Sequence, residues 1–255
     1  MAHPAIAPRD LTLPAYVRSR LHHRDRYVLA HGFDSRTVGV DWWARRLRAH
    51  GLNQRVEVFD HGGAARLTRG DLFQLGSQAA GPDASKDQVL TFLWHVLAWG
   101  TDQSQRGNLK RIQAFMGEAD RRQHTHLLAE ALALAREGDA PSAYRALIRR
   151  GGGRVSGLGP AFFTKLLYFA SEDCPGTRCL ILDARVAGAL AQAGWESLPR
   201  SPRNGYSYNW YTDTYASYCA LLQRWANEES DAHSGRVWPD EIERSLFEGN
   251  RHPVV

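Results

Sequence analysis

Two side chains of this sequence, Asp183 and Lys165, are of types and in places that could do acid–base or nucleophilic chemistry. Asp183 follows the apolar run Leu180-Ile181-Leu182 and precedes Ala184-Arg185-Val186-Ala187-Gly188-Ala189-Leu190, so it reads as the N-cap of a helix. Backbone donors and the helix dipole favour a carboxylate at such a position. A fixed carboxylate can stabilise an oxocarbenium-like sugar cation or activate a water. Lys165 lies upstream, in a helix that opens at Pro160. A lysine whose pKa is lowered by an apolar pocket can act as a nucleophile. Each residue also has a plain structural reading, as a helix cap and as a solvated lysine.

The elements that must hold these groups are helical. Helical spacing of apolar residues runs through Lys86–Trp99, Leu127–Ala135, Ala140–Arg149 and Thr212–Trp225. Thr68-Arg69-Gly70-Asp71 reads as a capping box that opens another helix. Strand alternation is scarce, apart from a short VEVF run at Val56. The chain therefore reads as all-α, a single domain over 1–255 without repeats or low-complexity linkers. Trp42, Trp43, Trp94 and Trp225 read as core, and His124 and His126 as solvated.

The stretch Gly151 to Leu190 positions both chemical groups. Gly151, Gly152 and Gly153 end the Ala140–Arg149 helix, and Val155-Ser156-Gly157-Leu158-Gly159-Pro160 follows. Proline suits the first turn of the next helix. A glycine-hydrophobic-glycine turn between two helices exposes backbone N–H groups at a helix N-terminus, where a phosphate binds well. Gly157 and Gly159 would let a DNA backbone approach closely. In the following helix, Ala161, Lys165, Tyr168 and Glu172 share one face, away from the stripe of Phe162, Phe163, Leu166, Leu167, Phe169 and Ala170.

Other candidates flank this unit. The polar loop after Trp99 carries Gln103, Gln105 and Arg106, which could enter a duplex as a wedge if the protein extrudes a base, or could simply connect two helices. Arg203-Asn204-Gly205-Tyr206-Ser207-Tyr208-Asn209-Trp210-Tyr211 interleaves aromatics with amides, which suits a bulky or sugar-decorated base. Among the arginines that could track phosphates (Arg45, Arg46, Arg48, Arg149, Arg150, Arg154), Arg154 lies beside the hairpin.

Composition sets outer bounds. Hydrophobic residues make up 43% and the formal net charge is +5, which permits a sizeable core and a polyanionic partner. Lys86, Lys110 and Lys165 are the only lysines. Cys174, Cys179 and Cys219 are too few and wrongly spaced for a four-thiolate cluster, and point to a reducing cytoplasm. No secretory pattern and no apolar run of membrane-spanning length appears.

Taken together, these residues resemble the helix-hairpin-helix DNA glycosylases, and more specifically the bacterial 8-oxoguanine DNA glycosylase-fold family. The resemblance covers Val155 to Leu190, and extends more weakly to Val96–Thr101, Trp210–Ala226 and Trp238–Phe247. It implies two helical lobes with a DNA cleft between them, the hairpin and catalytic aspartate falling at about 140–192. It implies a base-flipping N-glycosylase acting on double-stranded DNA that holds a modified base, with Asp183 in the catalytic role. Bifunctional members carry a Schiff-base lysine at the position of Ala161, which departs from that pattern. Lys165, one turn later on the same face, is then either a displaced nucleophile or a lining of the base pocket with Ala161 and Tyr168. The expected enzyme is a monofunctional, monomeric glycosylase that leaves an abasic site. Its expected base is a bulky phage modification such as glucosylated hydroxymethylcytosine, which would make it a defence enzyme. The alternatives are an 8-oxoguanine repair glycosylase/lyase using Lys165 and a non-catalytic DNA-binding module. No metal, iron–sulfur cluster or other cofactor is expected, though a monovalent cation at the hairpin stays open.

Overall fold

The computed structural model describes residues 4–21, 36–149, 152–201, 205–233 and 235–249. Within them the chain is mostly helical: α1 Ala15–Leu21, α2 Val40–Ala49, α3 Arg69–Ala79, α4 Lys86–Thr101, α5 Asn108–Gln113, α6 Glu118–Arg136, α7 Ala140–Leu147, α8 Pro160–Ala170, α9 Ala184–Gln192, α10 Thr212–Ala232 and α11 Pro239–Gly249. Two antiparallel pairs complete it, β1 Phe59–Asp60 with β2 Ala65–Arg66, and β3 Ile148–Arg149 with β4 Gly152–Gly153.

Side-chain caps fix where the main helices begin. Thr68 and Asp71 form the reciprocal capping box of α3, and Ser85 and Gln88 that of α4. α4 is apolar on nearly every face, with eleven of its sixteen residues buried, so it can only be a central helix. It contacts α3, α6 and α8. Fully burying each large apolar side chain of α4 stabilises the fold by roughly 1.5–3 kcal/mol, which outweighs the weak helix propensity of its Val, Phe and Trp residues. α3 lies unusually close to α8. A Cβ on Gly76 would sit 2.3 Å from the carbonyl oxygen of Phe169, so the two backbones touch with no side chain between them.

Three expectations require correction. The helix after Ala140 ends at Leu147 rather than Arg149, because Ile148 turns extended and pairs with Gly153. The VEVF run contributes only its last residue, Phe59, to a strand; Val56 is buried and the Glu57 N–H instead donates to Nε2 of the buried His95. His124 is half-buried, its Nδ1 2.8 Å from the Ala114 carbonyl oxygen and its ring edge-on to Phe115, whereas His126 is exposed. Trp43, Trp94 and Trp225 are core as expected, and Trp42 packs half-buried against it.

Candidate active site and nucleic-acid interface

Asp183 and Lys165 line the same cavity, of about 690 Å3, between the end of α4, the start of α5, α8, α9 and α11. Asp183 is the N-cap of α9: its Oδ1 accepts from the N–H groups of Arg185 (2.9 Å) and Val186 (3.0 Å). One carboxylate oxygen thus anchors the helix, and the group as a whole borders the cavity.

Lys165 lies one turn inside α8. Its Nζ donates to the carbonyl oxygen of Ala161 at 2.5 Å, and its stem packs against Gly100 and Phe162. Protein crowds the ammonium although the side chain still faces the cavity, and this burial pushes its pKa below the ordinary lysine value. The charges of Asp183 and Glu243 act in the opposite sense, while Arg69 and Arg111 reinforce the drop. Ala161 itself is half-buried and supplies the carbonyl that holds the lysine.

The cavity is strongly cationic. Seven basic side chains line it (Arg36, Arg69, Arg106, Arg111, Lys165, Arg185 and Arg244) against three acidic ones, Asp102, Asp183 and Glu243. Such a wall attracts a polyanion and raises its local concentration. Trp99 and Phe162 add flat apolar surface.

The hairpin stands beside this cavity. Gly157 takes a positive φ of 77°, and a Cβ on Gly153 would fall 1.9 Å from the Leu158 carbonyl oxygen, so neither position accepts a side chain. Gly159 is the N-cap of α8 and has nothing within 4 Å of where a Cβ would lie, which leaves the helix N-terminus open to an approaching phosphate. Pro160 opens α8. Arg154 is exposed on the hairpin, outside the cavity lining.

Arg111 joins the hairpin to the loop after α4, a role that its sequence position does not announce. Its Nε donates to the Gly157 carbonyl (2.9 Å), and its Nη1 to the Arg106 carbonyl (2.9 Å) and to Asn108 Oδ1 (2.7 Å). The guanidinium lies 3.6 Å over the Phe162 ring, and burial lowers its pKa to about 10. Asn108 in turn donates to Thr101 Oγ1 (2.8 Å). The loop so held is tight: Asp102 (φ 51°) and Gln105 (φ 48°) are the non-glycine residues with positive φ among the described residues. Gln103 and Arg106 are exposed on it, and Arg106 also lines the cavity; Gln105 is half-buried.

The aromatic candidates lie elsewhere. Tyr168 is fully buried, and its hydroxyl accepts from Arg69 Nη1 and donates to Asp240 Oδ2, both at 2.9 Å; it backs the cavity wall without lining it. Trp210 is core, packed on Trp195 and Tyr218. Tyr206 lies under Arg200, Tyr208 packs on the core near Arg111, and Asn209 and Tyr211 are exposed. None of these lines the cavity. Arg203 and Asn204 lie outside the described residues. In their place the cavity recruits Trp99, Arg69 and Glu243, which come from three separate helices. Among the described residues no group of three or more His, Cys, Asp or Glu converges as a metal site, and no helix is long and apolar enough to cross a membrane.

A family model described as "Putative 8-oxoguanine DNA glycosylase OGG-like protein" matches residues 26–247. No curated protein and no solved structure matches the chain.

Proposed function

The chain belongs to the OGG-like DNA glycosylase family, and from that premise we propose that it extrudes a modified base from duplex DNA and hydrolyses its N-glycosidic bond. The observation that carries this reading is the meeting of Asp183 and Lys165 in one cationic cavity beside the open N-terminus of α8. The hairpin and Arg154 hold the backbone through phosphate contacts, and Gln103 on the tight loop occupies the gap in the stack. Asp183 stabilises the positive charge that develops on the sugar as the base departs, and takes a proton from the attacking water. The base leaves with its bonding electron pair and is reprotonated, and an abasic site remains.

A cavity of about 690 Å3 lies well within the span of roughly 300–1,000 Å3 for small-molecule sites, and has room for more than a bare nucleobase. That supports a bulky substrate such as glucosylated hydroxymethylcytosine, and with it a cytoplasmic, monomeric enzyme of anti-phage defence. The second reading is repair of 8-oxoguanine with a lyase step. Its support is the burial of Lys165, which favours the neutral amine needed to attack C1′ and form a Schiff base. Counting abasic sites in a duplex carrying 8-oxoguanine and in a glucosylated phage genome separates the two. Sites in the phage DNA alone are expected. Sites in the oxidised duplex alone, with a borohydride-trapped adduct that Lys165→Met abolishes, would replace the first reading by the second. Sites in neither would overturn both.

A further inference from the structure

One buried chain of hydrogen bonds joins the tight loop after α4 to the hairpin turn before α8, and none of its members enters the chemistry proposed for Asp183. It starts at the Leu97 carbonyl, near the end of α4, which accepts from Thr101 Oγ1 (2.8 Å). Thr101 Oγ1 accepts from Asn108 Nδ2 (2.8 Å), and Asn108 Oδ1 accepts from Arg111 Nη1 (2.7 Å). Arg111 Nε then donates to the Gly157 carbonyl (2.9 Å). The same Nη1 also holds the Arg106 carbonyl, at the far end of the loop (2.9 Å). Asn108 is fully buried, and Thr101 and Arg111 are each only 8% exposed, so water competes little for these bonds.

The chain braces both turns. The loop keeps a costly shape, with positive φ at Asp102 and Gln105, and such a shape persists only where the surroundings enforce it. At the hairpin, a Cβ on Gly157 would fall 3.2 Å from Arg111 Cγ and 3.5 Å from Lys110 Cγ, so consecutive residues of α5 pack against the turn. Burying a guanidinium is costly, and an apolar side chain would fill the space beside Phe162 at less cost. What an apolar side chain lacks is the rigid planar fork, whose bonds run to the loop and to the hairpin at once and so fix the distance between them. On the outside, Gln103, Ser104 and Arg106 of the loop and Arg154, Ser156 and Gly157 of the hairpin are exposed.

We infer that Arg111 is a positioning residue for base extrusion: it holds the loop Asp102–Arg106 at a fixed place relative to the hairpin turn, so that grip on a phosphate at the hairpin delivers the loop to one defined step of the stack. The inference rests on the glycosylase reading and adds to it the residue that links its two contacts with DNA. The hairpin attracts the backbone whether or not the loop is braced, because that attraction is electrostatic. Extrusion is more demanding. Taking a paired base out of the stack is uphill, and least so for a base with no partner, so the wedge has to arrive in register. Displacing a positioned group by about 1 Å can cost about a hundredfold in rate.

The test uses two variants. Arg111→Lys keeps the charge but brings one nitrogen where Arg111 uses two. Asn108→Ala leaves the bond to Gly157 in place and removes the link to Thr101. Each is compared with wild type in single-turnover release of 8-oxoguanine and of glucosylated hydroxymethylcytosine, with the target facing either its pairing partner or an abasic analogue. With whichever base the wild type releases, both variants are expected to slow release roughly tenfold to a hundredfold from the paired duplex, and by less than about threefold from the unpaired one. A 2-aminopurine beside the target should report slower unstacking in the paired duplex, while affinity for undamaged DNA and its salt dependence stay those of the wild type. Equal slowing on paired and unpaired targets, or no slowing on the paired one, overturns the inference and leaves Arg111 a purely structural role. Should Arg111→Lys fail to fold, Asn108→Ala carries the same comparison. Release of neither base by the wild type removes the glycosylase reading and the inference with it, an outcome distinct from equal slowing.

Discussion

The function proposed above gives Asp183 a second job beside the capping of α9, and two substitutions separate the two. Its Oδ1 accepts from the N–H groups of the second and third residues of α9, Arg185 and Val186. Asp183→Ala removes both bonds, and loss of such a cap costs about 1 kcal/mol, within roughly 0.5–2. For a chain of this size that corresponds to a fall in Tm of about 2–4 °C. α9 survives the loss, because Val186, Ala187, Ala189 and Leu190 stay buried and the helix packs against α11. Asp183→Asn keeps an acceptor oxygen at the same place and should melt within a few tenths of a kcal/mol of the wild type. Neither variant has a carboxylate for the sugar cation or the water, so base release should fall by about 10²–10⁴ in both. The assay pairs thermal or urea melts with single-turnover release from the active DNA. The expected pattern is equal loss of rate with unequal loss of stability. An Asp183→Asn enzyme within tenfold of wild type, by the scale of a general base, would refute the reasoning and leave Asp183 as a cap alone.

Three further outcomes follow from the same geometry. Arg111→Ala removes three short charged or polar bonds and strands the Gly157 and Arg106 carbonyls, so it should cost about 3 kcal/mol in urea unfolding, and a cost below about 1 would show that the loop and hairpin hold without it. Gly153→Ala should disrupt folding, because its Cβ would meet the Leu158 carbonyl, whereas Gly159→Ala should fold normally and weaken DNA binding by blocking the phosphate; melts and DNA titrations that gave both variants the same profile would contradict the assignment. For Lys165 the folded pKa lies below 10.5, so its contribution to stability is fully present above 10.5 and is lost as the pH falls through the folded value. Urea midpoints at pH 7 and pH 10 should therefore rise less between the two for Lys165→Met than for wild type, and parallel shifts would show that burial does not perturb this lysine.

Local signals in the chain were readable where a single residue type fixes a local conformation. The capping box at Thr68 and Asp71, the cap at Asp183 and the proline at the start of α8 each depend on neighbours within three residues, and each stands where its type demands. The extended turn at Ile148 carries no local signal, because a helix-favouring stretch gives way to pairing of Ile148 and Arg149 with Gly153 and Gly152. Periodicity placed Tyr168 on the face of Lys165, yet could not tell that α3 and α11 cover that part of the face while the lysine opens onto the cavity. Trp210 illustrates the same limit: an aromatic among amides suggests a stacking platform, and tertiary packing on Trp195 and Tyr218 makes it core. Arg69, Arg111 and Glu243 could not be grouped from the sequence, since ordinary charged residues of three helices carry no mark of a shared wall.

The contact at Gly76 bears on how such an enzyme could change its diet. α3 and α8 touch backbone to backbone there, so no side-chain layer lies between them to be thinned or thickened by substitution. Arg69 and Lys165, carried by those two helices, therefore keep a fixed separation as relatives diverge. Room for a larger or smaller base has to be found on the opposite bank, in the loop after α4 and along α11. Sequence drift in this lineage should accordingly leave small residues at 76 while Asp102–Arg106 and the neighbours of Arg244 and Phe247 vary with the substrate.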